Sequence, residues 1–295
     1  MRWGRNRGFH IINVNLDLNL FRIFKTNVFS QRPCNMSSLP TIVLVHGAWH
    51  TPPNYQTYID ALQKEGFKVH CPRLPSCSGI SPPTATLSDD VTCIRQTVQS
   101  LVETGERVLM VMHSYGGAVA TSALDGLSLA ERKAAGQPGG VIHLLYLCAY
   151  ILDSGSTCWG VLQDAKMAHL WDQFIDTQAD GMSFPKDPNL LFFSRLAEQN
   201  TVDKALPHLV RFPDVCLHTP TTGAAWKDIP TTYISTVADY SVPKIYQDVM
   251  LEKVKKAGVE VKVKTYEASH SLFITMEKEM VDEAIEAASD ERNSS

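Results

Sequence analysis

The sequence has no apolar run long enough to cross a membrane and no excess of positive charge. A membrane helix needs about 20 apolar residues, whereas the apolar stretch 141–149 is far shorter. The formal net charge of -4 provides no positive field that would attract nucleic acid or anionic membranes. We therefore expect a small-molecule substrate, no nucleic-acid or membrane partner and a cytoplasmic location, and we leave homodimer formation open.

Paired cysteine spacings are also missing. The 7 cysteines are an odd number, and none forms a C-x-x-C pair, which argues against a disulfide framework and against structural zinc. His46 and His50 are spaced i, i+4, but Gly47 stands where the H-E-x-x-H zinc motif has Glu. We predict that the protein binds no metal ion.

The amino-terminal region differs in charge from the rest of the chain. Six Arg and Lys residues but only one acidic residue, Asp17, occur before position 36. Such a stretch resembles an organellar presequence, although no signal-peptide apolar region follows it. We predict a basic, disordered N-terminal extension over residues 1–38 and consider mitochondrial import the less favoured alternative.

Buried strands and amphipathic helices alternate along most of the remaining chain. The apolar and β-branched runs predict strands at 41–45, 68–74, 107–112, 141–150, 231–237 and 259–266. Helical periodicity and end signals predict helices at 52–65, 87–101, 116–124, 243–258 and 272–288. Thr86 and Asp89 are spaced as a capping pair. The alternation predicts an α/β fold, with a mostly parallel central sheet flanked by helices.

The alternation lapses between residues 151 and 226. This segment contains many aromatic residues among loops and is typical of an inserted cap. We predict that residues 39–150 and 227–295 form the core and that residues 151–226 form a cap insertion.

Ser114 is the predicted nucleophile. It lies where a buried strand changes abruptly into a helix, within His113-Ser114-Tyr115-Gly116-Gly117, which is the context of a nucleophile elbow. Position 112 is Met where the G-x-S-x-G pattern has Gly. The alternative is that Ser114 only caps the following helix, a common role for serine.

A serine nucleophile needs a base and an acid that orients the base. His270 directly follows the last predicted strand, at the carboxyl edge of the sheet where catalytic groups of open α/β sheets collect. Asp239 follows the preceding strand and gives the chain order Ser, acid, His. Asp153 is the rival acid, because it also follows a strand.

Acyl chemistry also requires hydrogen-bond donors for the oxyanion. His46-Gly47-Ala48-Trp49 follows the first strand and Tyr115 follows the nucleophile, so we predict that the backbone N–H groups of Ala48 and Tyr115 serve as donors. Aromatic side chains that include Trp49 and Trp159 are predicted to bind the substrate.

These motifs together resemble the α/β-hydrolase superfamily over about residues 41–288. Within it they resemble the branch that includes plant methylesterases, hydroxynitrile lyases and uncharacterised microbial hydrolases. The resemblance implies a cofactor-free serine esterase or lactonase that forms an acyl-enzyme on Ser114 and acts on a small, largely apolar molecule. Two alternatives remain: lyase-type cleavage with His270 as the base, and a small-ligand-binding protein with little catalysis.

Overall fold

A six-stranded parallel sheet forms the centre of residues 39–289, the part of the chain that the computed structural model describes. The predicted N-terminal extension, residues 1–38, lies outside the described residues. The strands are β1 Thr41–Val45, β2 Val69–His70, β3 Arg107–His113, β4 Gly140–Leu147, β8 Thr231–Thr236 and β9 Lys262–Tyr266. Their order across the sheet is β2-β1-β3-β4-β8-β9, and every neighbouring pair is parallel. The predicted α/β fold with a mostly parallel central sheet is confirmed.

Helices cover both faces of this sheet. They are α1 Gln56–Lys64, α2 Leu87–Glu103, α3 Gly116–Ala123, α4 Leu129–Ala134, α10 Lys244–Lys256, α11 Leu272–Thr275 and α12 Glu277–Ser289. Alternate side chains of β1 point to opposite faces: Ile42 and Leu44 pack with α1 and α12, whereas Val43 and Val45 pack with α2 and α3. No helix within residues 39–289 is both long and apolar enough to cross a membrane.

The predicted strand at 68–74 is much shorter in the structure. Only Val69 and His70 pair with β1. Pro72 follows, and proline has no N–H group to donate to a strand ladder. The N–H of Leu74 donates instead to Nε2 of His46, at 3.0 Å. The chain therefore leaves the sheet after His70 and is bonded to the loop that follows β1.

The last predicted helix, 272–288, is also divided. α11 ends at Thr275 and α12 begins at Glu277, because Met276 between them has φ -135° and ψ 45° and is not helical. The short helix α4, which the sequence patterns did not predict, begins after Ser128, whose side chain accepts a hydrogen bond from the N–H of Glu131.

The segment between β4 and β8 contains its own small antiparallel sheet. The strands are β5 Ile175–Thr177, β6 Met182–Pro185 and β7 Phe212–Pro213, in the order β5-β6-β7. Short helices surround it: α5 Cys158–Asp164, α6 Trp171–Phe174, α7 Pro188–Phe193, α8 Gln199–Ala205 and α9 Val215–His218. Many of its apolar residues, including Phe192 and Phe212, belong to the same buried cluster as α2 and α3.

The start of α2 confirms the predicted capping pair. The Asp89 carboxylate accepts hydrogen bonds from the backbone N–H and the hydroxyl of Thr86, both at 2.8 Å. These bonds hold the pKa of Asp89 below its usual value. A carboxylate in the first helical turn also interacts favourably with the helix dipole.

We expect Thr86→Ala to lower the free energy of unfolding by about 1 kcal/mol, because an N-cap replaced by Ala leaves helix-end donors without partners. Thr92→Ala is the matched control, since Thr92 lies inside the same helix, where Ala is the better helix former. Urea denaturation of the two variants measures the difference. Equal stability of both would contradict the capping role.

Candidate active site

Ser114 occupies a sharp turn between β3 and α3. Its φ of 54° is left-handed, a conformation that costs energy for a residue with a side chain and is concentrated at functional sites. Its N–H donates to the carbonyl of Leu147, at 3.3 Å, and its carbonyl accepts from the N–H of Tyr150, at 3.0 Å. The segment at the end of β4 therefore bonds to both the N–H and the carbonyl of Ser114.

Two glycines allow the backbone to come close to this turn. A Cβ at Gly116 would lie 2.3 Å from the carbonyl oxygen of Val45, and one at Gly47 would lie 2.9 Å from the Cβ of Ser114. Both distances are too short for any side chain. Met112, which departs from the G-x-S-x-G pattern, is fully buried in the core, and the left-handed turn at Ser114 forms with it in place.

His270 and Asp239, in the loops that follow β9 and β8, form a buried pair. His270 Nδ1 lies 2.8 Å from Asp239 Oδ2, and both side chains are almost completely shielded from solvent. Because a carboxylate only accepts, Nδ1 carries the hydrogen and Nε2 is the basic nitrogen. Among residues 39–289, no group forms a hydrogen bond with this Nε2.

The Asp239 carboxylate is held by three further hydrogen bonds. Oδ2 also accepts from the Thr236 hydroxyl at 2.9 Å, and Oδ1 accepts from the N–H groups of Ser241 and Val242, both at 2.8 Å. Four donors therefore surround the two carboxylate oxygens and leave them one orientation. Behind them lies Gln247, whose buried amide donates to the Thr236 hydroxyl at 2.9 Å.

The rival acid, Asp153, has a different environment. Its carboxylate is about half exposed and pairs with Lys227 at 2.7 Å, which lowers the pKa of Asp153. The structure thus brings Asp239, and not Asp153, to His270.

The two candidate oxyanion donors, Ala48 and Tyr115, both line the cavity that contains Ser114. The carbonyl of Ala48 accepts a hydrogen bond from Nδ1 of His50 at 2.8 Å, and burial lowers the pKa of His50 to about 3. The hydroxyl of Tyr115 donates to the buried carboxylate of Asp90 at 2.8 Å. Both main-chain segments are therefore anchored by side-chain bonds.

The cavity has a volume of about 650 Å³ and is mostly apolar, within the usual range for a ligand site. Trp49 lines it as predicted. Trp159 is not among the lining residues and packs instead against Trp171 and His218, with ring centroids 5.5 and 4.6 Å away. The aromatic and large apolar residues that line the cavity are Trp49, Tyr115, Tyr150, Leu162, Met167, Leu170, Trp171, Phe174, Ile175, Leu191, Leu196, Leu217, Tyr240, Ile245 and Tyr246.

One group of side chains within residues 39–289 has ligand atoms close enough together to hold a metal ion. It consists of His113, Cys148 and His270, whose ligand atoms lie within 4.8 Å of one another. The Nδ1 atom of His270 already donates to Asp239, and the Cys148 thiol lies 3.5 Å from it. A metal ion bound through that atom would break the pair of Asp239 and His270.

Comparison with known proteins identifies the family of this chain. Residues 42–283 match the model of the "Alpha/beta hydrolase family". The α/β hydrolase nvfD of Aspergillus novofumigatus is 31% identical over 208 residues, which cover 70% of this chain and 81% of that protein.

Two solved structures share the fold at low sequence identity. The pyrethroid hydrolase from Sphingobium faniae is 19% identical, has a TM-score of 0.62, and is matched over 85% of this chain and 98% of its own. A polyneuridine aldehyde esterase mutant is 16% identical, has a TM-score of 0.64, and is matched over 84% of this chain and 98% of its own. The predicted resemblance to the α/β-hydrolase superfamily is confirmed.

The buried carboxylate of Asp90 should make stability depend on pH. Burial raises the pKa of Asp90 from 3.8 to about 6, so the folded state binds more protons than the unfolded state between these values. The stability that protonated Asp90 contributes is present below about pH 4 and is lost as the pH rises through about 6.

We expect Asp90→Asn to remove this contribution, which is worth up to about 3 kcal/mol. The measurement is the free energy of unfolding from pH 4 to 7, compared between the wild type and the variant. The difference between the two free energies of unfolding should change between pH 4 and 7 and stay constant above pH 7. Parallel curves throughout the range would show that Asp90 titrates normally.

Proposed function

Because the chain belongs to the α/β-hydrolase family and is an enzyme of that family, we propose that it hydrolyses an ester or lactone of a small, largely apolar molecule through Ser114, His270 and Asp239. One observation carries the proposal. The unpaired basic nitrogen of a buried His-Asp pair lies at the same sheet edge as a serine in a strained turn that faces an apolar cavity.

In the first half of the proposed reaction, Ser114 becomes acylated. His270 Nε2 accepts the proton of the Ser114 hydroxyl while Oγ attacks the substrate carbonyl carbon. The carbonyl oxygen becomes an oxyanion, which the N–H groups of Ala48 and Tyr115 stabilise. The tetrahedral intermediate then collapses, and the proton on Nε2 goes to the leaving alcohol oxygen as its bond to carbon breaks.

In the second half, water removes the acyl group. His270 Nε2 takes a proton from the attacking water, a second oxyanion forms in the same place, and the Ser114 oxygen leaves with the proton from Nε2. Throughout both halves Asp239 holds the imidazole and stabilises its cation. A lactone follows the same steps, except that the alcohol and the acid remain in one molecule.

The cavity favours a neutral substrate. Its lining is chiefly apolar, and its basic side chain, Lys244, is paired with Asp248 four residues later on α10. A carboxylate or phosphate on the substrate would have to compete with Asp248 for that ammonium group. One similarly folded hydrolase is named for acting on pyrethroids.

We expect Ser114→Ala to abolish both the hydrolysis of short-chain aryl esters and labelling by a fluorophosphonate probe, because the attacking oxygen is removed. Ser122→Ala, in the following helix, is the matched control and should keep both. Intact-mass analysis and peptide mapping locate the label. Wild-type turnover by Ser114→Ala would remove the proposed nucleophile, and labelling of the wild type without ester turnover would favour the lyase alternative.

We expect Asp239→Asn to lower kcat by about three to four orders of magnitude, because an amide in place of the carboxylate favours the wrong imidazole tautomer. Asp153→Asn is the matched control and should change kcat by less than about twofold, because Asp153 pairs with Lys227 instead. Steady-state kinetics on one aryl ester compares them. The reverse pattern would transfer the acid role to Asp153.

A further inference from the structure

Tyr55 and His113 form a fully buried hydrogen-bonded pair next to the candidate site. The Tyr55 hydroxyl lies 2.6 Å from Nδ1 of His113. Neither residue lines the cavity, and the Tyr55 hydroxyl and both ring nitrogens of His113 are bonded within the protein. Both are distant in sequence from His270, yet His113 Nε2 lies 3.0 Å from the backbone carbonyl of His270.

The partners of this pair determine where its hydrogens lie. A carbonyl oxygen only accepts, so His113 Nε2 carries a hydrogen and donates it to His270. Nδ1 of His113 is then an acceptor, and the Tyr55 hydroxyl donates to it. The remaining lone pairs of that hydroxyl oxygen face the N–H of Gly47, which donates to it at 3.0 Å. Each hydrogen bond in the series that links Gly47, Tyr55, His113 and His270 therefore has one donor and one acceptor.

This series of hydrogen bonds ends in two loops, one at Gly47 and one at His270. The proposed reaction requires the relative position of these loops to stay fixed. Gly47 contacts Ser114 and directly precedes Ala48, the candidate oxyanion donor. The His270 carbonyl belongs to the same residue as the candidate base, and it also accepts a weaker bond from the Cys148 thiol at 3.4 Å. A shift of either loop would change the distance between base, nucleophile and oxyanion donor.

Ring packing and burial keep the pair rigid and neutral. The Tyr55 ring stacks on Phe273, three residues after His270, with centroids 4.1 Å apart and planes 16° apart. Burial raises the pKa of the Tyr55 hydroxyl and lowers the pKa of the His113 imidazole, both well beyond their usual values. Neither group ionises near neutral pH, so the donor pattern stays constant.

We propose that Tyr55 and His113 are positioning residues, which couple the oxyanion loop at Gly47 to the main chain of His270 and so maintain the geometry for acylation of Ser114. This inference rests on the proposed function. A misplacement of about 1 Å can cost about two orders of magnitude in rate. The pair should therefore affect the catalytic rate much more than substrate binding.

The first test compares Tyr55→Phe with Tyr58→Phe. Tyr58 is also fully buried, three residues away, and its hydroxyl donates to the Met280 carbonyl in α12, at 3.0 Å. We expect Tyr55→Phe to lower kcat and the rate of fluorophosphonate labelling by about 10–100-fold, with KM within about twofold. Tyr58→Phe should lower Tm comparably but leave both rates within about twofold. Equal rates for the two variants, measured well below Tm, would overturn the proposal.

A second pair of variants keeps the test decisive if Tyr55→Phe does not fold. The amide of His113→Gln can still donate to a carbonyl and accept from a hydroxyl, whereas His113→Leu can do neither. We expect the Gln variant to label at least tenfold faster than the Leu variant. Equal labelling by both folded variants would refute the positioning role while leaving wild-type activity as support for the proposed function. A wild type that neither labels nor turns over would remove the proposed function itself.

Discussion

The contact between the first turn of α3 and the end of β1 is the constraint on which the site depends. Any side chain at Gly116 would collide with the carbonyl of Val45, so only glycine lets the helix start there. Ser114 lies two residues before this contact, and Ala48 lies three residues after Val45. This main-chain contact therefore places the strained Ser114 next to the candidate oxyanion loop. Met112 does not disturb it, because its side chain is buried in the core.

The parts of this structure that local sequence patterns encode could be predicted. A strand buried on both faces must be almost entirely apolar, and β3 and β4 fit that description. Ser114, Asp239 and His270 lie within four residues of the ends of β3, β8 and β9, so the parallel topology brings them to one edge. Where a local feature interrupts the pattern, the prediction fails. Pro72 ends β2 early, and Met276 breaks the last helix.

The remaining features depend on contacts between residues far apart in the sequence. The strands of the small antiparallel sheet have two to four residues, too few to show a period. Trp171, rather than Trp159, reaches the cavity, and no property of the tryptophans themselves distinguishes the two positions. Likewise, nothing near Tyr55 or His113 in the sequence indicates that a hydroxyl and an imidazole will meet. Their bond joins residues 58 positions apart.

Backbone hydrogen bonds also connect the candidate site to the segment between β4 and β8. The Trp49 carbonyl accepts from the N–H of Val210, at 2.8 Å, and the Ser271 N–H donates to the carbonyl of Phe192, at 2.9 Å. The segment between β4 and β8 is thus bonded to both the candidate oxyanion loop and the loop of His270. Main-chain bonds of this kind do not depend on which side chains the segment carries. These bonds can therefore persist when the side chains that line the cavity are substituted.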